Sequence, residues 1–199
     1  KTKSLLYLRK VNRVSEMLEE GRHKPLTGTA FDIKIRDDFL SKDDFNVVYN
    51  TAQSLSFNPN DLAYKEGDNH VWFTVEAPED IKNIVIRSVS EYFNVEIDKL
   101  KMCQYTFVLR SKNTQVHNDT DKDNDFQTII YVKGKDDIHS GTGFYVEKDG
   151  RFILNTHIGF MPNRMVYWTP NVYHAPLSFT DEFNPRISLI TQYKLKGKN

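Results

Sequence analysis

Beyond residue 98 the chain is cut by turn signals into short segments, and this punctuation constrains its fold more than any other feature. Lys133-Gly134-Lys135, Lys148-Asp149-Gly150, Pro162-Asn163 and Asn184-Pro185 supply the breaks. The best strand candidates between them are 101–109, 126–132, 143–147, 164–169 and 186–195. Gly frees the backbone for tight turns and Pro withholds an amide from a ladder, so both bound strands more readily than they sit inside them. Upstream the pattern is mostly helical. In the first 21 residues Ser4 can cap a helix, Leu5, Leu8, Val11, Val14 and Met17-Leu18 recur at helical spacing, and Gly21 can end it. Packing on its own domain is one use of such a helix and a homodimer contact is another. Pro25 and Gly28 mark 22–29 as a linker, and 31–35 alternates like a strand. Ser41 caps a second helix with Asp44 in its first turn, Asn58-Pro59-Asn60 breaks the chain, and 71–75 reads as a buried strand. Pro78 opens a third helix whose Ile81, Ile84, Val85, Val89, Tyr92 and Phe93 form one stripe. Helices first and closely spaced strands after predict an α+β, mainly β domain, an antiparallel double sheet with helices packed outside. The expected organisation is a single domain, with 1–30 an N-terminal helix and linker and 31–199 the β domain.

Composition narrows the function. The chain has 199 residues, enough for one domain with a sizeable core. Its 27 basic and 27 acidic residues balance, so bulk charge calls for neither nucleic acid nor a membrane surface. Thirteen Phe and ten Tyr favour β-rich packing. No apolar run approaches the roughly 18 residues that span a bilayer. The opening residues lack the apolar stretch of a signal peptide, and the absence of an initiator Met suits a trimmed chain or fragment. Cys103 is the sole cysteine, so no internal disulfide can form and a reducing, cytoplasmic compartment is expected.

The chemistry concentrates in three places: His117-Asn118-Asp119, His174, and Arg186-Ile187-Ser188. On a strand, side chains two apart share a face, so His117 and Asp119 point together, as do Arg186 and Ser188. His174 arrives 55 residues after Asp119 and can close a triangle from a neighbouring strand. Two imidazoles and one carboxylate on one side of a metal leave the other side open, which suits iron(II) oxygen chemistry. Arg186 and Ser188 offer a planar fork and a hydroxyl to a carboxylate. Each signal has a plainer reading. H-x-D can be a solvated turn, His174 a hydrogen-bonded structural residue and Arg186 an edge-strand charge facing water. An Arg aimed into a β-core is expensive unless paired, and a bound dicarboxylate removes that cost. The acidic run 119–125 mimics a calcium loop but fails it, lacking Gly at loop position six and Glu at twelve in either frame. His23, His70, His139 and His157 lack partners at ligand spacing and read as surface or structural residues.

The order H-x-D, His, R-x-S resembles the iron(II)/2-oxoglutarate-dependent dioxygenases. The resemblance spans about 100–195 and, more faintly, 33–54. Gln104-Tyr105-Thr106, Phe126-Gln127-Thr128-Ile129-Ile130-Tyr131, Gly141-Thr142-Gly143-Phe144-Tyr145 and Pro162-Asn163-Arg164-Met165-Val166 look like its prolyl-4-hydroxylase-like branch, and within it like small bacterial and phage oxygenases. What this implies is a double-stranded β-helix (a jelly roll of cupin type) holding Fe(II) on His117, Asp119 and His174. It also implies 2-oxoglutarate as cosubstrate on Arg186 and Ser188, with Tyr105 and Thr128 as further contacts, and O2 as oxidant. The implied reaction is hydroxylation of an unactivated C–H bond of a small-molecule or peptide substrate, releasing succinate and CO2. Asp119 favours hydroxylation over halogenation, because halogenases resembling this family carry a small residue there. Two departures stand out. Arg186 replaces the Lys of collagen-type enzymes, so a collagen-like substrate does not follow. Val132 stands where some protein hydroxylases have a second Tyr, which counts against Tyr131 as a cosubstrate contact. A jelly-roll binding module without catalysis, or a zinc or manganese cupin, are the competing readings. Residues 55–70 and 119–125 are the expected lid elements, since loops at a barrel mouth shape specificity.

Overall fold

Two of the predicted helices and most of the predicted strands form where their patterns place them. The computed structural model describes residues 32–55, 70–111, 116–120, 122–180 and 184–197. The expected helix over 1–21, with any homodimer contact through it, lies outside these residues, as do His23 and most of the expected lid 55–70. Asp32–Asn199 forms one compact unit. Its elements are β1 (Lys34–Arg36), α1 (Lys42–Ser54), β2 (His70–Glu76), α2 (Glu79–Phe93), β3 (Ile97–Ser111), β4 (Phe126–Lys133), β5 (Asp137–Lys148), β6 (Arg151–Phe160), β7 (Met165–Trp168), β8 (Tyr173–Pro176), β9 (Phe179–Thr180) and β10 (Arg186–Leu195).

The molecule is mainly β. One sheet runs β1-β7-β4-β10-β3-β2, with β9 also on β3, and a second runs β6-β5-β8. All pairs are antiparallel. No helix among the described residues is long and apolar enough to cross a membrane.

Strand β10 shows how the layers are built. It is buried along most of its length on both faces, so the solvent-side alternation of a one-sided sheet is absent. Ile187 and Leu189 face one way, opposite Phe107 and Tyr105 of β3. They pack with Ile130, Val132 and the apolar stripes of α1 and α2, including Val48, Ala52, Ile81, Ile84 and Val85. That is the principal core, and both helices lie on it. Arg186 and Ser188 face the other way, toward the second sheet. The sheets meet there: Tyr131 stacks on Phe160 at 4.6 Å and Phe144 sits edge-on to Trp168 at 5.5 Å.

Helix starts follow local chemistry. Ser41 Oγ accepts from the Asp44 amide at 3.1 Å, satisfying one amide orphaned at the N-terminus of α1. Asn163, at a left-handed φ of 60°, anchors the approach to α1: its Oδ1 accepts from Leu40 N and its Nδ2 donates to Leu40 O, both at 2.9 Å.

Strand β6 was not among the sequence candidates, and β5 is longer than 143–147 suggests. Arg151-Phe152-Ile153-Leu154 does not alternate, so no period of two is visible. The strand forms because Asp149 and Gly150 take positive φ of 53° and 71°, a two-residue turn that folds Arg151 back onto Lys148.

Candidate metal centre

His117 and His174 meet backbone to backbone before their side chains meet. His117 N donates to His174 O at 3.1 Å and His174 N donates to His117 O at 2.8 Å, an isolated bridge that extends the β8 edge. The Asp119 amide donates to Pro170 O at 2.9 Å, holding the segment extended beside the loop that leads into β8. Extended backbone turns His117 and Asp119 the same way, as the two-residue step predicts. The imidazole rings of His117 and His174 lie 4.5 Å apart between centroids. His117, Asp119 and His174 bring one ligand atom each within 4.8 Å of one another.

Electrostatics prepare this triangle for a cation. Burial pushes the pKa of His174 down to about 4, with neighbouring His117 adding to the effect, so its imidazole is neutral at pH 7. Its Nδ1 lies 3.0 Å from Val172 O. A carbonyl only accepts, so Nδ1 carries the proton and Nε2 keeps a lone pair directed at Asp119, 3.5 Å away. For Asp119, burial is the largest influence and pushes the pKa up. The Lys122 ammonium and the Gln127 amide, with the field of His174, outweigh it, so the net shift is down. A neutral imidazole beside an ionised carboxylate is the protonation state in which both can coordinate metal.

Arg186 lies on the inner face of β10, 4% exposed. Its guanidinium carbon is 5.8 Å from the Phe160 ring centroid and 5.2 Å from that of Phe179. Burial pulls its pKa down to about 10, with Tyr131 and Asp137 opposing. Among the described residues its buried Nη1 has no hydrogen-bond partner. Ser188 is buried two residues on, and its cross-strand neighbour Thr106 also has a buried Oγ1 without a partner. Orphaned buried donors are costly, so this cluster asks for an acceptor. The donor set therefore fits the two groups that the resemblance implies: His-Asp-His fits a divalent cation, and Arg186 with Ser188 and Thr106 fits a carboxylate.

Tyr105 and Thr128 do not join this pocket. Tyr105 pairs with Leu189 and Thr128 with Thr191, on the face of the sheet that α1 and α2 cover. Tyr105 OH donates to Val48 O at 2.9 Å, and the Thr128 and Thr191 hydroxyls are 2.6 Å apart. The residue that does face inward is Tyr131. A register shift between Ile187 and Ser188 sets it opposite Ser188, and its OH donates to Thr142 Oγ1 at 2.9 Å. Thr106, adjacent to Tyr105, likewise points inward. One-residue parity was the signal that could have selected Thr106 over Tyr105, since it shares the face of Arg186 and Ser188 across the ladder. In the acidic loop, Asp123 pairs with Lys101 and Lys194, and Asp125 accepts from the Leu195 amide at 2.8 Å. His139 and His157 are exposed.

No protein-family model and no curated protein match the sequence. Solved structures do. A 2OG-Fe(II) oxygenase family oxidoreductase from Burkholderia pseudomallei is similar with a TM-score of 0.55 at 15% identity, over 81% of this chain and 84% of that one. A Pseudomonas putida prolyl-4-hydroxylase gives 0.55 at 13%, over 84% and 94%. The epimerase SnoN, in complex with Fe3+, alpha-ketoglutarate and nogalamycin RO, gives 0.60 at 8%, over 82% and 78%. The chain has the fold of the 2OG-Fe(II) oxygenases. At these identities the likeness is one of fold, and its sequence-level support is the ordered H-x-D, His, R-x-S set. Within this oxygenase fold His174 stands on β8 and Arg186 at the start of β10.

Proposed function

We propose that this protein is an Fe(II)/2-oxoglutarate-dependent dioxygenase built on a double-stranded β-helix, hydroxylating an unactivated C–H bond of a small-molecule or peptide substrate. The observation that carries the reading is the buried, unpartnered Arg186 Nη1 on the inner sheet face, in the same fold as a His117-Asp119-His174 triangle. A cupin that uses only a metal has no need of that guanidinium. A structural arginine would have its donors satisfied.

In this reading His117, Asp119 and His174 would hold Fe(II), and Arg186 with Ser188 and Thr106 would bind the distal carboxylate of 2-oxoglutarate. The bound iron, with 2-oxoglutarate and O2, supplies the oxidising chemistry, and succinate and CO2 are the coproducts. The chain supplies geometry. The Val172 carbonyl fixes the His174 tautomer, burial keeps that ring neutral, and the aromatic walls of Phe160 and Phe179 shield the guanidinium from water. A cytoplasmic site of action belongs to the same reading and agrees with a buried, unpaired Cys103.

Anaerobic addition of Fe(II) and then 2-oxoglutarate tests it. A weak visible charge-transfer band is expected, and it should vanish in Asp119→Ala. Absence of the band in the wild type would overturn the oxygenase reading and favour a binding module. A succinate-release assay across pooled metabolites and peptides then finds the substrate. An oxygen-bearing product separates hydroxylation from the epimerisation for which SnoN is named.

A further inference from the structure

The two side-chain oxygens of Asp119 have different partners. Lys122 stands three residues on, in a turn closed by its own amide donating to Asp119 O at 3.0 Å. Its ammonium lies 2.8 Å from Asp119 Oδ1. The other oxygen, Oδ2, is 3.5 Å from His174 Nε2 and so faces the ligand triangle. From the sheet side, Gln192 Nε2 donates to Gln127 Oε1 at 3.1 Å, which fixes the buried Gln127 side chain.

We propose that Lys122 is a positioning residue that keeps Asp119 a one-oxygen ligand by holding Oδ1 out of the coordination sphere. The inference rests on the reading that a cation sits on His117, Asp119 and His174. A carboxylate free to rotate can give both oxygens to a cation. Two imidazoles and a single Asp119 oxygen would leave room on the cation for a chelating keto acid and one further ligand. A second Asp119 oxygen would compete with the keto acid or fill that last position. Lys122 and a cation do not contend for the same atom, since the ammonium is on Oδ1 and the triangle is served by Oδ2. The ammonium-to-carboxylate bond is charge-assisted and directional. The Lys122 side chain is half exposed, so the pair adds little to fold stability. Its consequence is geometric.

Titrating the purified full chain with Co(II), followed by its visible d–d absorption, tests the proposal without turnover. Lys122→Met is expected to bind Co(II) several-fold more tightly, because a repelling charge is gone and a second oxygen is gained. Its d–d spectrum should differ from the wild type. Several-fold more 2-oxoglutarate should be needed to perturb that spectrum. Lys122→Arg, which keeps a charged donor, should restore wild-type behaviour, and Lys122→Gln should follow Lys122→Met. An unchanged spectrum and cosubstrate midpoint in Lys122→Met would overturn the clamp even if cobalt bound more tightly, since charge alone would then be its effect. A wild type that binds no Co(II) would instead overturn the metal-centre reading, and the clamp with it.

Discussion

A guanidinium at 4% exposure with an unpartnered Nη1 is hard to account for as structure. Replacing a buried charge by an apolar group of similar size is often neutral or stabilising, whereas the ligand that pairs with it gains charged hydrogen bonds of about 1.5–3 kcal/mol each. Arg186→Met should therefore leave the melting temperature of the metal-free protein unchanged or raised, while the 2-oxoglutarate KM rises at least about tenfold. A lower melting temperature with an unchanged KM would make Arg186 structural. Tyr105 gives the opposite expectation. Its hydroxyl satisfies Val48 O in the helix-facing core. Tyr105→Phe should cost about 1–2 kcal/mol in chemical denaturation and leave the cosubstrate KM where it was. The two substitutions together separate the faces of one sheet, because alternate residues of adjacent strands line the proposed cosubstrate site and the hydrophobic core.

Connections between elements depend on a few backbone positions that admit almost no alternative. Gly141 takes φ of +124°, and a Cβ there would meet Ile158 O at 2.0 Å. The strain and the clash both fall on the β5–β6 ladder, so Gly141→Ala should lose about 2–3 kcal/mol by urea denaturation. The start of β7 is tied to β1 and to the approach to α1 by Arg164, whose Nε is 2.5 Å and Nη2 3.0 Å from the two Asp37 oxygens. The hydrogen bond to Arg164 holds the Asp37 carboxyl below its ordinary value of 3.8, against the opposing effect of burial. A depressed carboxylate pKa means the folded state binds fewer protons, so the gain is present above that ordinary value and is lost as pH falls through the folded pKa. Asp37→Asn should thus be less stable than wild type at neutral pH. The gap should close as pH drops below 3.8, and one independent of pH would contradict the assignment. Asp37 is 45% exposed, which keeps the effect small.

At the scale of the whole molecule, the proposed metal and cosubstrate would bind only to the assembled pair of sheets, because their donors come from the 117–119 segment, β8, β3 and β10. A ligand at about 100 times its Kd stabilises the folded state by about 2.7 kcal/mol, or roughly 5–10 °C in a domain of this size. Mn(II) with 2-oxoglutarate should raise the melting temperature by about that much in differential scanning fluorimetry. The Mn(II) part should disappear in Asp119→Ala and the cosubstrate part in Arg186→Met. The same distinction between local pattern and assembly explains how much was legible beforehand. Turn residues, helix stripes and two-residue steps are properties of adjacent residues. From them alone came α1, α2, most of the strands, and the pairing of His117 with Asp119 and of Arg186 with Ser188 on shared faces. Which face each strand turns inward is not local, because one residue of register reverses it. The bulge between Ile187 and Ser188 and the ladder that pairs Tyr105 with Leu189 put Tyr131 and Thr106 toward Arg186, and Tyr105 and Thr128 toward the helices. β6 depended on assembly too: its apolar run has no period, and it is a strand because the Asp149-Gly150 turn delivers it to β5. The primary order thus determined which groups could act, and hydrogen-bonded register between distant strands decided which of them share the space between the sheets.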